Sequence, residues 1–240
     1  MLLDLDSHIQ NQIYSFCDIY DIVGLLQTSK QIKIDGLKLN EVKVSGMNLY
    51  SFVQWLRKHK ITTIECLGVE NYIMNNDHCM DFYVENCDCV EEIKETLGSV
   101  SIKKLTLVSV FLDEHVINWK GVESLHLGDC RFNNEWINDQ KDLKELSING
   151  YFTDGTYPPF SLIDEKIKFF GLKLPSLESF ESNGFIFGEQ LDDFLAQSEI
   201  SERLKLFKIQ SWIDLGEWDY QAILRKVKTK FPNVKMKVYI

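Results

Sequence analysis

Proline is scarce in this 240-residue sequence: there are 4, and none precedes Pro158. Together with 12% aromatic residues, that excludes a disordered or linker-dominated chain, which has too few large apolar groups to offset the entropy of ordering. Basic residues are outnumbered, with Lys+Arg 26 against Asp+Glu 36 and a formal net charge of -10. Phosphate backbones and anionic bilayers both need a cationic surface, so no nucleic acid and no membrane is expected as partner. No apolar run reaches the roughly 18 residues that a spanning helix requires. The opening Met1-Leu2-Leu3-Asp4-Leu5-Asp6 has neither a basic segment nor a long apolar stretch, so a secretory signal is not expected. These features point to a cytoplasmic or nuclear protein in a reducing compartment. Its six cysteines (Cys17, Cys66, Cys79, Cys87, Cys89, Cys130) should then be thiols.

The motifs of common chemistries are also missing. There is no Gly-x-Gly-x-x-Gly, no phosphate-binding loop, no His-Glu-x-x-His and no Gly-x-Ser-x-Gly. The chain therefore reads as a non-enzyme, with no catalytic residues and no cofactor. His78, Cys79, Cys87 and Cys89 lie close together, but structural zinc sites use pairs separated by two to four residues, and this spacing does not fit. No metal is expected, and the bland reading is thiols in a partly buried repeat. Cys66 reads as a core position of its repeat. Glu91, Glu92, Lys94 and Glu95 read as a solvated helix face. His126 reads as a surface contact residue, since no partner motif makes it a base.

Apolar residues form two patterns. Over the first 32 residues, Leu5, Ile9, Ile13 and Phe16 make a helical stripe, and Ile22, Val23, Leu25, Leu26 and Ile32 make a second. Asp18 and Asp21 are suited to cap helices, and Gly36 ends the helical signal. After Gly36 a short phrase recurs: apolar, two others, apolar, one other, apolar. It is seen in Ile102-x-x-Leu105-x-Leu107, Val122-x-x-Leu125-x-Leu127, Leu143-x-x-Leu146-x-Ile148 and Leu204-x-x-Phe207-x-Ile209. Weaker copies begin at Ile61 (ending in Ile64 and Cys66) and Leu177 (ending in Phe180 and Ser182), and Val42–Val44 and Val234–Val238 look like strands at the two ends.

Alternation within the phrase places apolar side chains on one face of a short strand. The leading residue enters the same core from the preceding turn. The steps from 102 to 122, 122 to 143 and 177 to 204 fall within the roughly 20–29 residues of a leucine-rich repeat. The last step, to Val234, is slightly over, and those from 61 and 143 need insertions. Helices are expected at Leu49–Lys60, Val90–Leu97, Phe187–Ser198 and Trp218–Phe231. Helices between strands make the strands parallel, in a sheet of roughly seven to nine strands. Asp81–Val84 reads as an extra strand dividing the long step after Ile61. Tyr151–Lys173, with Gly155, Pro158 and Pro159, reads as an insertion loop.

The run Leu5-Asp6-Ser7-His8-Ile9, Ile13, Phe16, Asp21-Ile22, Leu25-Leu26, Thr28-Ser29-Lys30 and Ile32 resembles an F-box. An F-box followed by irregular leucine-rich repeats is the arrangement of the F-box/leucine-rich-repeat family. The resemblance implies an α/β chain: a short helical F-box module over 1–35, then over 36–240 an irregular leucine-rich-repeat solenoid with a curved parallel sheet and an insertion near 151–173. It implies the substrate-recognition subunit of an SCF-type cullin–RING ubiquitin ligase. Leu5, Ile9, Ile13, Phe16, Ile22, Leu25 and Leu26 would bind a Skp-type adaptor and, through it, the cullin. The ligase chemistry would reside on other subunits.

A target protein would bind the outward positions of the repeats: Lys104 and Thr106, Ser124 and His126, Glu145 and Ser147, Ser179 and Glu181, and Lys208. The aromatic insertion is expected to join them. The net charge favours a basic target segment, through steering more than affinity. The alternative is a non-catalytic scaffold or repeat protein that assembles proteins without ubiquitin transfer. An active site within the insertion is the remaining enzyme reading. Replacing Leu5 and Ile9 together by alanine is expected to weaken adaptor binding in a quantitative pull-down while the repeats stay folded. Unchanged binding refutes the F-box reading.

Overall fold

The structure, a computed structural model, describes residues 38–45, 48–74, 88–112, 117–128, 130, 134–149, 171–183, 189–200, 202–210 and 220–239. The helical module at 1–35, with all seven of its expected adaptor contacts, lies outside these residues. So do Asp81–Val84, the cysteines Cys17, Cys79 and Cys87, and the insertion as far as residue 170.

The chain is α/β. Eight parallel strands form one sheet: β1 (Lys38–Ser45), β2 (Thr63–Met74), β3 (Ser101–Leu112), β4 (Ser124–Gly128), β5 (Glu145–Asn149), β7 (Ser179–Asn183), β9 (Leu206–Gln210) and β10 (Lys235–Tyr239). Their order across the sheet is their order along the chain. A separate parallel pair joins β6 (Lys173–Leu174) to β8 (Glu199–Ile200). Parallel neighbours need a return connection. Helices provide it after β1 (α1, Leu49–Lys58), β2 (α2, Asp88–Ser99), β4 (α3, Asn134–Asn138), β7 (α4, Glu189–Gln197) and β9 (α5, Tyr220–Lys230).

Each helix forms for a reason visible in its apolar spacing. In α1, Leu49, Phe52, Val53 and Leu56 are buried on one stripe. That helix stops where Lys60 adopts φ 53. The turn is a Schellman cap, with Ile61 N–H donating to the Leu56 carbonyl at 3.0 Å and Lys60 N–H to that of Arg57 at 3.2 Å. The expected helices at Leu49–Lys60, Val90–Leu97, Phe187–Ser198 and Trp218–Phe231 thus correspond to α1, α2, α4 and α5. Helix α3, a single turn, and the small β6–β8 sheet were not expected.

Three ranks of apolar side chains run across the strands. The first is Val42, Leu67, Leu105, Leu125, Leu146, Phe180, Phe207 and Met236, in direct register. The second is Val44, Val69, Leu107, Leu127, Ile148, Ser182, Ile209 and Val238. The third holds the leading residues: Leu39, Ile64, Ile102, Val122, Leu143, Leu177 and Leu204, all buried. One continuous core results, from Leu39 to Val234. Ser182, 1% exposed, is the polar member of the second rank. Beside it Phe180, Phe194 and Phe207 form a ring cluster with centroids 5.1, 5.4 and 6.0 Å apart.

The structure corrects three expectations. Ile64 pairs with Ile102 and Leu67 with Leu105, so the repeat begins at Ile64 and not at Ile61. Cys66 therefore leaves the core: it pairs with Lys104 and is partly exposed. β2 pairs directly with β3, and the strand expected at Asp81–Val84 lies outside the described residues. The insertion closes earlier than Lys173, because Gly171 takes φ 75 and Leu172 is already buried. Asn138 fastens this return, donating to the Gly171 carbonyl at 3.0 Å and accepting from Lys173 N–H at 2.7 Å.

Leu125 lies mid-sheet with strands on both sides, whereas Val238 lies half-exposed on the last strand. Leu125→Ala should cost about 2–5 kcal/mol and Val238→Ala at most about 1 kcal/mol in a denaturant titration. Equal losses would contradict the stacked arrangement.

Candidate functional site

The solvent-facing positions also fall into ranks, because residues alternate across each strand. Lys104, Ser124, Glu145 and Ser179 form one, extended by Glu41 and Cys66 on one side and by Leu206 and Lys235 on the other. Thr106, His126, Ser147, Glu181 and Lys208 form the next, extended by Lys43, Gly68 and Lys237. All nine expected target-binding positions thus share one face. A third rank runs through Ser45, Glu70, Val108, Gly128 and Asn149. The strands at both ends were expected, but their outward residues were not counted on this face. The phrase Leu39-x-x-Val42-x-Val44 was available to find them.

Along the middle of the face short side chains, Gly68, Thr106, Ser124, Ser147 and Ser179, alternate with Lys104, His126, Glu145 and Glu181. Lys208 forms an ion pair with Glu181. His126 is half-buried, and desolvation holds its pKa below the ordinary 6.5, while the charge of Glu181 pulls the other way. Asn149 Nδ2 lies 3.4 Å from His126 Nε2. Ser147 adjoins His126 across β4 and β5 without a hydrogen bond between them. Charges on the three ranks nearly balance. Lys43, Lys104, Lys208, Lys235 and Lys237 stand against Glu41, Glu70, Glu145 and Glu181. The acidity of the whole chain is not a property of this face.

A second electrostatic pattern lies at the lead-in to the strands. The residue after each leading apolar position is, in turn, Glu65, Lys103, Glu123, Lys144, Glu178 and Lys205. Lys38 and Lys103 flank Glu65 at 2.8 and 3.2 Å. Glu123 meets Lys144 at 2.9 Å and Glu178 meets Lys205 at 2.5 Å. Hydrogen bonds from these lysines hold the Glu65, Glu123 and Glu178 carboxyls below their usual 4.5. The Glu123 carboxylate raises the Lys144 ammonium above 10.5. The carboxylate contributions to stability are therefore present above pH 4.5 and lost as pH falls through the lowered values. That of Lys144 is present below pH 10.5 and lost above its raised value. Each pair is solvated, so its weight is small.

Among the described residues no group of three or more His, Cys, Asp or Glu side chains is placed to hold a metal ion. Cys130 is a buried thiol with its sulfur 3.1 Å from the Leu107 carbonyl. No helix among them is long and apolar enough to cross a membrane. No protein-family model matches the chain, and no curated protein matches it significantly.

His126 should titrate below 6.5 by NMR, and Glu181→Gln should lower its midpoint further by removing the one charge that favours imidazolium. The depressed pKa adds a pH dependence to folding. Stability is full above pH 6.5 and declines as pH falls toward the folded-state value. A midpoint that rises in Glu181→Gln would overturn this account of the site.

Proposed function

We propose that this chain is the substrate-recognition subunit of an SCF-type cullin–RING ubiquitin ligase. In this reading the parallel sheet is the inner wall of an irregular, curved leucine-rich-repeat solenoid. Its exposed ranks hold a target protein, and residues 1–35 form the F-box that binds the Skp-type adaptor. The observation that carries the recognition half is the strand order. Eight parallel strands in chain order set their outward residues in register across one wide face, and stacked repeats use such a face to bind proteins. The adaptor half rests on the resemblance of residues 5–32. This chain is not the enzyme; it positions a target for ubiquitin transfer by other subunits, so its own task is affinity and orientation.

The scaffold reading keeps the same face and adaptor but omits ubiquitin transfer. It is favoured by Asp6 and His8, which stand where the F-box pattern has proline and commonly an acidic residue. Two variants with intact circular dichroism separate these readings. One replaces Ser124, His126, Glu145 and Ser147 with arginine, and the other reverses four exposed charges on the helices, Lys58, Glu91, Glu95 and Lys228. The face variant should lose the co-purified target and keep the adaptor, while the helix variant keeps both. Loss of the target only in the helix variant places recognition elsewhere. Cullin-dependent ubiquitylation of the retained target is expected, and a bound but unmodified target selects the scaffold.

A further inference from the structure

The face is uneven. On β9 and β10 its outward residues are Leu206, Lys208, Lys235 and Lys237. Leu206 is the one large apolar side chain in a rank otherwise made of Glu41, Cys66, Lys104, Ser124, Glu145, Ser179 and Lys235, and it is half-exposed. Lys208 is engaged by Glu181. Lys235 and Lys237 are exposed, and neither has an ion-pair partner among the described residues. Among the described residues the outward charges of β9 and β10 are therefore positive, on a chain whose total is -10.

Charges beyond a Debye length of about 8 Å are largely screened at physiological salt. Among the described residues, the unpaired charges nearest a segment lying on β9 and β10 are these lysines, whatever the total. Two ammonium groups on β10, both to one side of Leu206, match carboxylates placed to one side of an apolar anchor. On the β7 side the neighbour of Leu206 is Ser179, with Glu145 beyond it on β5.

We propose that the β9–β10 end of the face binds an acidic, Asp/Glu-rich protein segment with an apolar residue seated on Leu206. The inference deepens the recognition reading above and rests on it. It replaces the expectation of a basic target drawn from net charge. Lys235 and Lys237 would supply charge complementarity, which sets register and on-rate, and Leu206 the buried contact.

The test is selection of a random twelve-residue peptide library on the immobilised full chain, followed by polarisation titration of the selected peptides. Enriched peptides should carry net negative charge beside a large apolar residue. Their binding should weaken at least tenfold in Lys235→Glu/Lys237→Glu and several-fold between low and high salt. It should change less than twofold in Lys58→Glu/Lys228→Glu, which alters the total charge equally on the helices. Enrichment of basic or neutral peptides, of nucleic acid over acidic peptide in competition, or of nothing overturns the proposal. So does equal loss in the two lysine variants. If non-acidic peptides are selected but the four-residue face variant abolishes their binding, this inference fails while the recognition reading stands. If selected peptides ignore that variant, the recognition reading fails as well.

Discussion

Every strand in this molecule depends on its neighbours to bury its apolar side chains. A single strand with one connection offers two or three inward residues and no second layer large enough to enclose them. Burial becomes complete only when Leu105, Leu125 and Leu146, and likewise Leu107, Leu127 and Ile148, meet across adjacent strands in register. A shift of one residue would turn each inward side chain out. The ranks therefore fix the register, and the connections are free to vary. Between strands the chain uses four longer helices, one turn of helix, an irregular segment carrying buried Ile117 and Trp119, and the insertion before β6. None of these disturbs the sheet.

What the sequence conveys is the repeating part of this arrangement. The phrase beginning at Ile102, Val122, Leu143 and Leu204 was legible because its three apolar positions serve the same three ranks each time. The misreading at Ile61 has a physical origin. Ile61 is buried, 4% exposed, but it belongs to the cap of α1, where its N–H closes on Leu56. An apolar residue just past a Schellman turn packs back on its helix, and here it imitated the leading residue of a repeat. Cys66 was misplaced by the same slip. Helix α3 was invisible because one turn has no period to read. Its anchor is tertiary, the Trp136 indole N–H donating to the Ile117 carbonyl at 3.0 Å. The nine outward residues were legible once the phase was right. The contributions of Leu206, Lys235 and Lys237 were not, because they depend on which strands become neighbours.

The average over the chain and the local face differ in one further respect. A formal charge of -10 describes the molecule at distances beyond screening. A bound segment experiences individual residues in contact with it, and the outward ranks carry nearly equal numbers of each sign. Recognition on such a sheet is decided strand by strand. The residues on the last strands set what a partner must carry.

The alternation Glu65, Lys103, Glu123, Lys144, Glu178, Lys205 gives the stack a parity. Removing one strand together with its connection would bring two like charges side by side, Lys103 against Lys144 or Glu123 against Glu178. Like charges opposite one another on neighbouring strands are unfavourable. Removing two adjacent units restores the alternation, as does duplicating two. Each contact is weak in water, so the rule acts less on the stability of the finished fold than on the choice among pairings during folding. A strand that skips its neighbour meets a charge of its own sign. Change in the length of this chain is therefore easiest in pairs of units, with the ion pairs acting as a check on strand order that the interchangeable leucines of the core do not provide.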